Sequence, residues 1–128
     1  MSYYLARTID ADFDAAIRRV TDALAAQGFG ILTEIDIKET MKKKLDLEFR
    51  RYRILGACNP PLAHRALEAE DKIGALLPCN VIVQEAGDGR VEVAAVDPVA
   101  SMSAVDSAAL AGIAEEVRDK LRAVVESL

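Results

Sequence analysis

Apolar positions recur along this chain at two different periods. Phe13, Ile17, Val20 and Leu24, with Ala16 between them, lie three or four residues apart, the spacing of one helix face. Asp10 can cap the element, and Asp12 and Asp14 suit the positive end of a helix. Gln27-Gly28 ends it, because glycine readily takes the left-handed position after a last helical turn. The spacing therefore predicts a helix over about residues 11–27. Near the end of the chain Leu110, Ile113, Val117, Leu121, Val124 and Leu128 repeat the pattern, predicting a long C-terminal helix capped by Asp106 or Ser107.

Between these helices the period falls to two. Tyr3 to Ile9 is a first short strand. Phe29, Ile31, Thr33, Ile35 and Ile37 alternate with mostly polar or small residues, predicting a strand with one buried face. Met41 and Leu45 then mark a two-turn helix under Lys42-Lys43-Lys44, followed by a loop through Asp46 and Glu48. In the next strand Tyr52, Ile54, Gly56 and Cys58 share a face, with Arg51 and Arg53 opposite. Asn59 is a favoured N-cap, and Pro60 fits the first helical position, where its missing N–H has no partner to lose. The apolar stripe after it breaks across Glu70 to Gly74, so a short turn precedes Pro78. Cys79 to Glu85 and Val91 to Val96, joined by Gly87-Asp88-Gly89, form an antiparallel hairpin. Asp97-Pro98 stops it, and a loop runs through Met102 and Ser103. The order is β-α-β-(α)-β-α-β-β-α in a single domain over residues 1–128. The expected fold is α+β and two-layered: a mostly antiparallel sheet covered by helices on one face, ending in a long C-terminal helix.

Composition narrows the function classes. Hydrophobic residues make up 52% and aromatics only 5%, with no tryptophan, so the core is mostly Ala, Val, Leu and Ile. The net charge of −5 is uneven: residues 1–64 hold ten basic and nine acidic side chains, residues 65–128 six and twelve. An acidic chain is a poor partner for phosphate backbones, so no nucleic-acid binding is expected. The basic residues Lys42, Lys43, Lys44, Arg50, Arg51 and Arg53 are interrupted by Glu39, Asp46 and Glu48, which reads as a solvated face with local ion pairs. No apolar run approaches the roughly 20 residues that span a bilayer, and Met1 to Arg7 has no apolar signal core. The expectation is a cytoplasmic protein without a membrane partner, its two cysteines free thiols.

Chemistry concentrates in two segments, Gly56-Ala57-Cys58-Asn59-Pro60-Pro61 and Leu77-Pro78-Cys79-Asn80. Cys58 precedes a helix cap, where partial positive charge and free N–H groups favour a thiolate. The competing reading makes it a small buried hydrophobe, with Asn59-Pro60 shaping the turn. Cys79 opens a strand, and burial is the simpler reading there too. Asn59 and Asn80 offer hydrogen bonds to a polar ligand, or serve only as a cap and a strand-start bond. A simple crossover between the strands would leave the two thiols far apart; a chain return near Gly74 would bring them together. No metal and no cofactor is assigned. Cys58, Cys79 and His64 are the soft or imidazole donors, and they lack the close pairs of a structural zinc site. His64, one turn into a helix, reads as a surface residue.

Taken with Leu76-Leu77-Pro78-Cys79-Asn80-Val81, Val96-Asp97-Pro98 and Gly28-Phe29-Gly30, the run Tyr52-Arg53-Ile54-Leu55-Gly56-Ala57-Cys58-Asn59-Pro60 resembles the bacterial and archaeal Domain of Unknown Function 302 family. The resemblance covers nearly the whole chain. It implies a compact two-layer α+β fold and a homodimer, and no known activity. The family motif falls on Cys58, Asn59, Pro60, Leu77, Pro78, Cys79, Asn80, Asp97 and Pro98, none with an assigned role. Three functions stay open. The first is a dimeric binding or sensing module with a small-molecule, anion or soft-metal pocket at Cys58-Asn59, joined by Cys79-Asn80. The second is a cysteine-dependent enzyme or redox protein using Cys58. The third is a structural or interaction protein.

Overall fold

The computed structural model describes residues 2–128. Its elements are β1 (Tyr4–Asp10), α1 (Phe13–Ala26), β2 (Gly30–Asp36), α2 (Ile37–Leu45), β3 (Tyr52–Cys58), α3 (Pro60–Ala69), a 3₁₀ helix (Asp71–Leu76), β4 (Cys79–Gly87), β5 (Arg90–Val96), α4 (Pro98–Ser101) and α5 (Ala108–Glu126). The predicted α+β order is present throughout. Asp12, not Asp10, caps α1, its carboxylate accepting from the Ala15 N–H at 2.8 Å. Asp97 does more than end the hairpin: it caps the four-residue α4, which lies inside the stretch expected to be loop. Ser107 caps α5.

The five strands form one antiparallel sheet in the order β1-β5-β4-β3-β2. One face carries the core. Leu55, Ala57, Val81, Val83, Val91, Val93 and Ala95 point into it and meet Phe13, Ala16, Val20 and Leu24 of α1 and Leu110, Ile113, Val117, Leu121 and Val124 of α5. Every one of these residues is apolar, and no charged or polar side chain is buried among the described residues. Burial at about 25 cal/mol per Å² of apolar surface therefore drives assembly, although the Nε of half-buried Arg118 is buried without a hydrogen-bond partner.

The expectation that Phe29 to Ile37 keeps one side-chain face fails. A bulge between Ile31 and Thr33 sets two residues of β2 against one of β3. Ile31, opposite Ala57, faces the core, whereas Thr33, opposite Gly56, and Ile35, opposite Ile54, emerge on the other face. Glu34 and Asp36 thereby reach the side of Arg53, at 2.6 and 3.6 Å. Sequence alternation carries no trace of one inserted residue.

Candidate functional site

β3 and β4 run antiparallel, so the C-terminal end of one lies beside the N-terminal end of the other. Ala57 sits opposite Cys79, which makes Cys58 and Cys79 near neighbours across adjacent strands. The chain achieves this by breaking after α3: the 3₁₀ helix from Asp71 returns it to the start of β4. Both cysteines are free; Cys58 is half-buried and Cys79 buried. At this end of the sheet lies a cavity of about 300 Å³. Phe29, Ala57, Cys58 and Cys79 contribute from the sheet end, Leu62, Ala63 and Ala66 from α3, and Ile113, Ala114 and Val117 from α5; Pro98 and Met102 close the α4 side. The two thiols are the only ionisable side chains in the wall.

Burial pushes the Cys79 thiol up from 9.0 to about 11, since the apolar surroundings disfavour its charged form, and the neighbouring Cys58 adds to the effect. Cys79 is therefore a neutral thiol at physiological pH. It behaves as a small packing group with a weak S–H donor and is a poor nucleophile.

Asn59 is a structural residue. Its Oδ1 accepts from the Leu62 N–H at 3.4 Å, capping α3, and its Nδ2 donates to the Gln27 carbonyl at 3.3 Å. One side chain thus ties the end of α1 to the start of α3. Gly28 completes the junction: its φ is +85°, and a Cβ there would stand 3.0 Å from Asn59 Nδ2. Pro60 is exposed and opens α3, where its missing N–H removes no intrahelical hydrogen bond.

Asn80 does not join this group. It is exposed and lies in a second depression, on the helix-free face of the sheet, with Tyr4, Tyr52 and Gln84. His64 is also exposed and sits 3.0 Å from Glu68 Oε1, outside the cavity wall. Among the described residues no group of three or more His, Cys, Asp and Glu side chains could hold a metal ion. The basic segment is a set of surface ion pairs: Lys42 with Asp46 and Glu48, Lys43 with Glu39, Arg53 with Glu34 and Asp36. Such exposed pairs contribute little to stability.

Met102, Leu62, Ala66 and Val117 escaped sequence reasoning as site residues. They are ordinary members of helix faces, and only the packing of three helices over one sheet end turns them into a wall.

The family model described as Domain of unknown function DUF302 matches residues 5–128. Among solved structures, a crystal structure described as an uncharacterized conserved protein DUF302 from Bacillus stearothermophilus superposes with a TM-score of 0.90 at 25% sequence identity, over 98% of each chain. No curated protein matches the chain. Among the described residues, no helix is long and apolar enough to cross a membrane.

Proposed function

The chain belongs to the DUF302 family, whose description names no activity, and from that premise we propose that it is a small binding or sensing module for a neutral, apolar small molecule. The carrying observation is the cavity beside Cys58: about 300 Å³, apolar apart from two thiols and the cap at Asn59. That volume lies at the lower end of the range for small-molecule sites, whose walls are mostly apolar with a few polar groups. The same wall disfavours an anion, because it offers no cation and Asn59 already occupies the first turn of α3. A cysteine enzyme is the weaker reading: His64 stands outside the wall, and Cys79 holds its proton, so Cys58 has no base beside it.

Isotope-labelled protein titrated separately with hexanol, sodium hexanoate and silver nitrate tests this by amide NMR. Hexanol is expected to give saturable shifts at Phe29, Ala66 and Val117, with hexanoate weaker. Ala63→Phe, which fills the cavity from a half-buried position, removes the hexanol response while leaving the rest of the spectrum intact. Preference for hexanoate would move the reading to an anion site at α3, and preference for silver to a soft-metal site at the thiols. No saturable response to any of the three would end the binding reading.

A further inference from the structure

The second depression, on the helix-free face of the sheet, differs in character from the cavity. Strand pairing sets out its parts, because paired residues share a face. Ala94 pairs with Ile82, and these two make an apolar floor. Two residues along the strands Glu92 pairs with Gln84 and Gln84 with Tyr52, which raises a polar and aromatic wall on one side. Two residues the other way Tyr4 pairs with Val96. There the Tyr3 and Tyr4 rings meet edge-on, 5.1 Å between centres, and form the opposite wall. All three tyrosines of the chain therefore line one site. It encloses about 420 Å³, enough for a small molecule.

The charge of this site has one sign. Among the described residues Glu92 is the one charged side chain in its wall. Glu92 is half-buried and forms no salt bridge with a described Lys, Arg or His. Gln84 Oε1 accepts from Arg50 Nε at 2.9 Å, which turns the amide so that Gln84 Nε2 donates to Glu92 Oε1, also at 2.9 Å. Glu92 Oε2 has no donor among the described residues. Arg50 itself stays outside the wall, its guanidinium 4.5 Å from the Phe49 ring centre and 5.5 Å from that of Tyr52. Aromatic faces attract cations through the ring quadrupole, and a carboxylate adds a full charge. The net charge of −5 acts in the same direction. An anion would meet Glu92 with no cation in the wall to offset it, and a wholly apolar ligand would cover Glu92 and Asn80 without pairing them.

We propose that this depression binds a small organic ammonium ion, its alkyl groups on Ala94 and Ile82 and its charge held by Glu92 and the tyrosine faces. The proposal is independent of the cavity at the sheet end, whose wall holds no carboxylate.

Choline, its neutral tert-butyl analogue (carbon in place of nitrogen) and tert-butylacetate are close in shape and differ in charge, and titrating each into the full chain tests the proposal. Tyrosine fluorescence reports on this site alone, since all three tyrosines line it and the chain has no tryptophan. Amide NMR at Ile82 and Ala94 gives a second readout. Choline is expected to give a saturable change and to bind about 5-fold tighter than the neutral analogue, with no saturable change from tert-butylacetate. Glu92→Gln, which can still accept from Gln84, is expected to weaken choline by about 5-fold. Tyr4→Leu is expected to weaken it by about 3-fold, with unchanged far-UV circular dichroism in both variants. Equal binding of choline and its neutral analogue overturns the proposal, and that comparison needs no variant. So does the absence of a saturable choline response, or a choline affinity that Glu92→Gln leaves unchanged. Tyrosine fluorescence that acrylamide fails to quench in the ligand-free chain overturns it as well, because the face would then be covered by protein.

Discussion

Deleting the Cys79 thiol tests how dry the cavity floor is. In the folded chain that thiol titrates at about 11 against an ordinary 9.0, mainly because burial disfavours the thiolate. At roughly 1.4 kcal/mol per pH unit, two units amount to about 3 kcal/mol of linkage. The raised group is an acid that is neutral when protonated, so its contribution is complete below the unfolded value of 9.0. Between there and about 11 the unfolded chain loses the proton first, and stability falls as pH rises. The useful quantity is a difference between two proteins, in which the contributions of all other groups cancel. Urea unfolding of wild type and Cys79→Ala, each measured at pH 8 and pH 10.5, isolates the thiol. Wild type is expected to lose about 2 kcal/mol more than the variant over that interval, while at pH 8 Cys79→Ala is the less stable because of the cavity it leaves. A difference that stays flat with pH would refute the reasoning, since it would mean that water reaches Cys79 and its burial costs the thiolate nothing.

Two further substitutions probe the junctions around the site. A methyl group at Gly56 would overlap Thr33 Oγ1 and stand 2.8 Å from Pro78 Cγ, so Gly56→Ala is expected to cost about 1–3 kcal/mol in urea unfolding by overpacking. Thr33→Ala in the same chain should recover part of that loss, and a strictly additive double mutant would argue against the contact. Asn59→Ala removes the α3 cap and the bond to the Gln27 carbonyl, with an expected loss of about 1–2 kcal/mol. Faster amide exchange at Leu62 and Ala63, unmatched by a change in α5, would place that loss at the helix start.

The linear pattern carried the class and order of the elements because helix and strand periods are local properties. The stripe from Phe13 to Leu24, the turn at Gly87-Asp88-Gly89 and the Asn59-Pro60 start of α3 each rest on neighbours in the chain. The cap role of Asn59 was legible for the same reason. α4 was missed because four residues are too few to show a period, and the bulge in β2 because an extra residue is visible only against a partner strand. The site depended on tertiary structure almost wholly. Cys58 and Cys79 are neighbours only because the 3₁₀ helix after α3 turns the chain back, making β3 and β4 antiparallel. The same pairing sends Asn80 to the opposite face from Cys79, so two adjacent residues of one motif serve different surfaces. Ala6, Ala94, Ile82, Ile54 and Ile35 likewise line up only across strands, through a register that no single segment encodes.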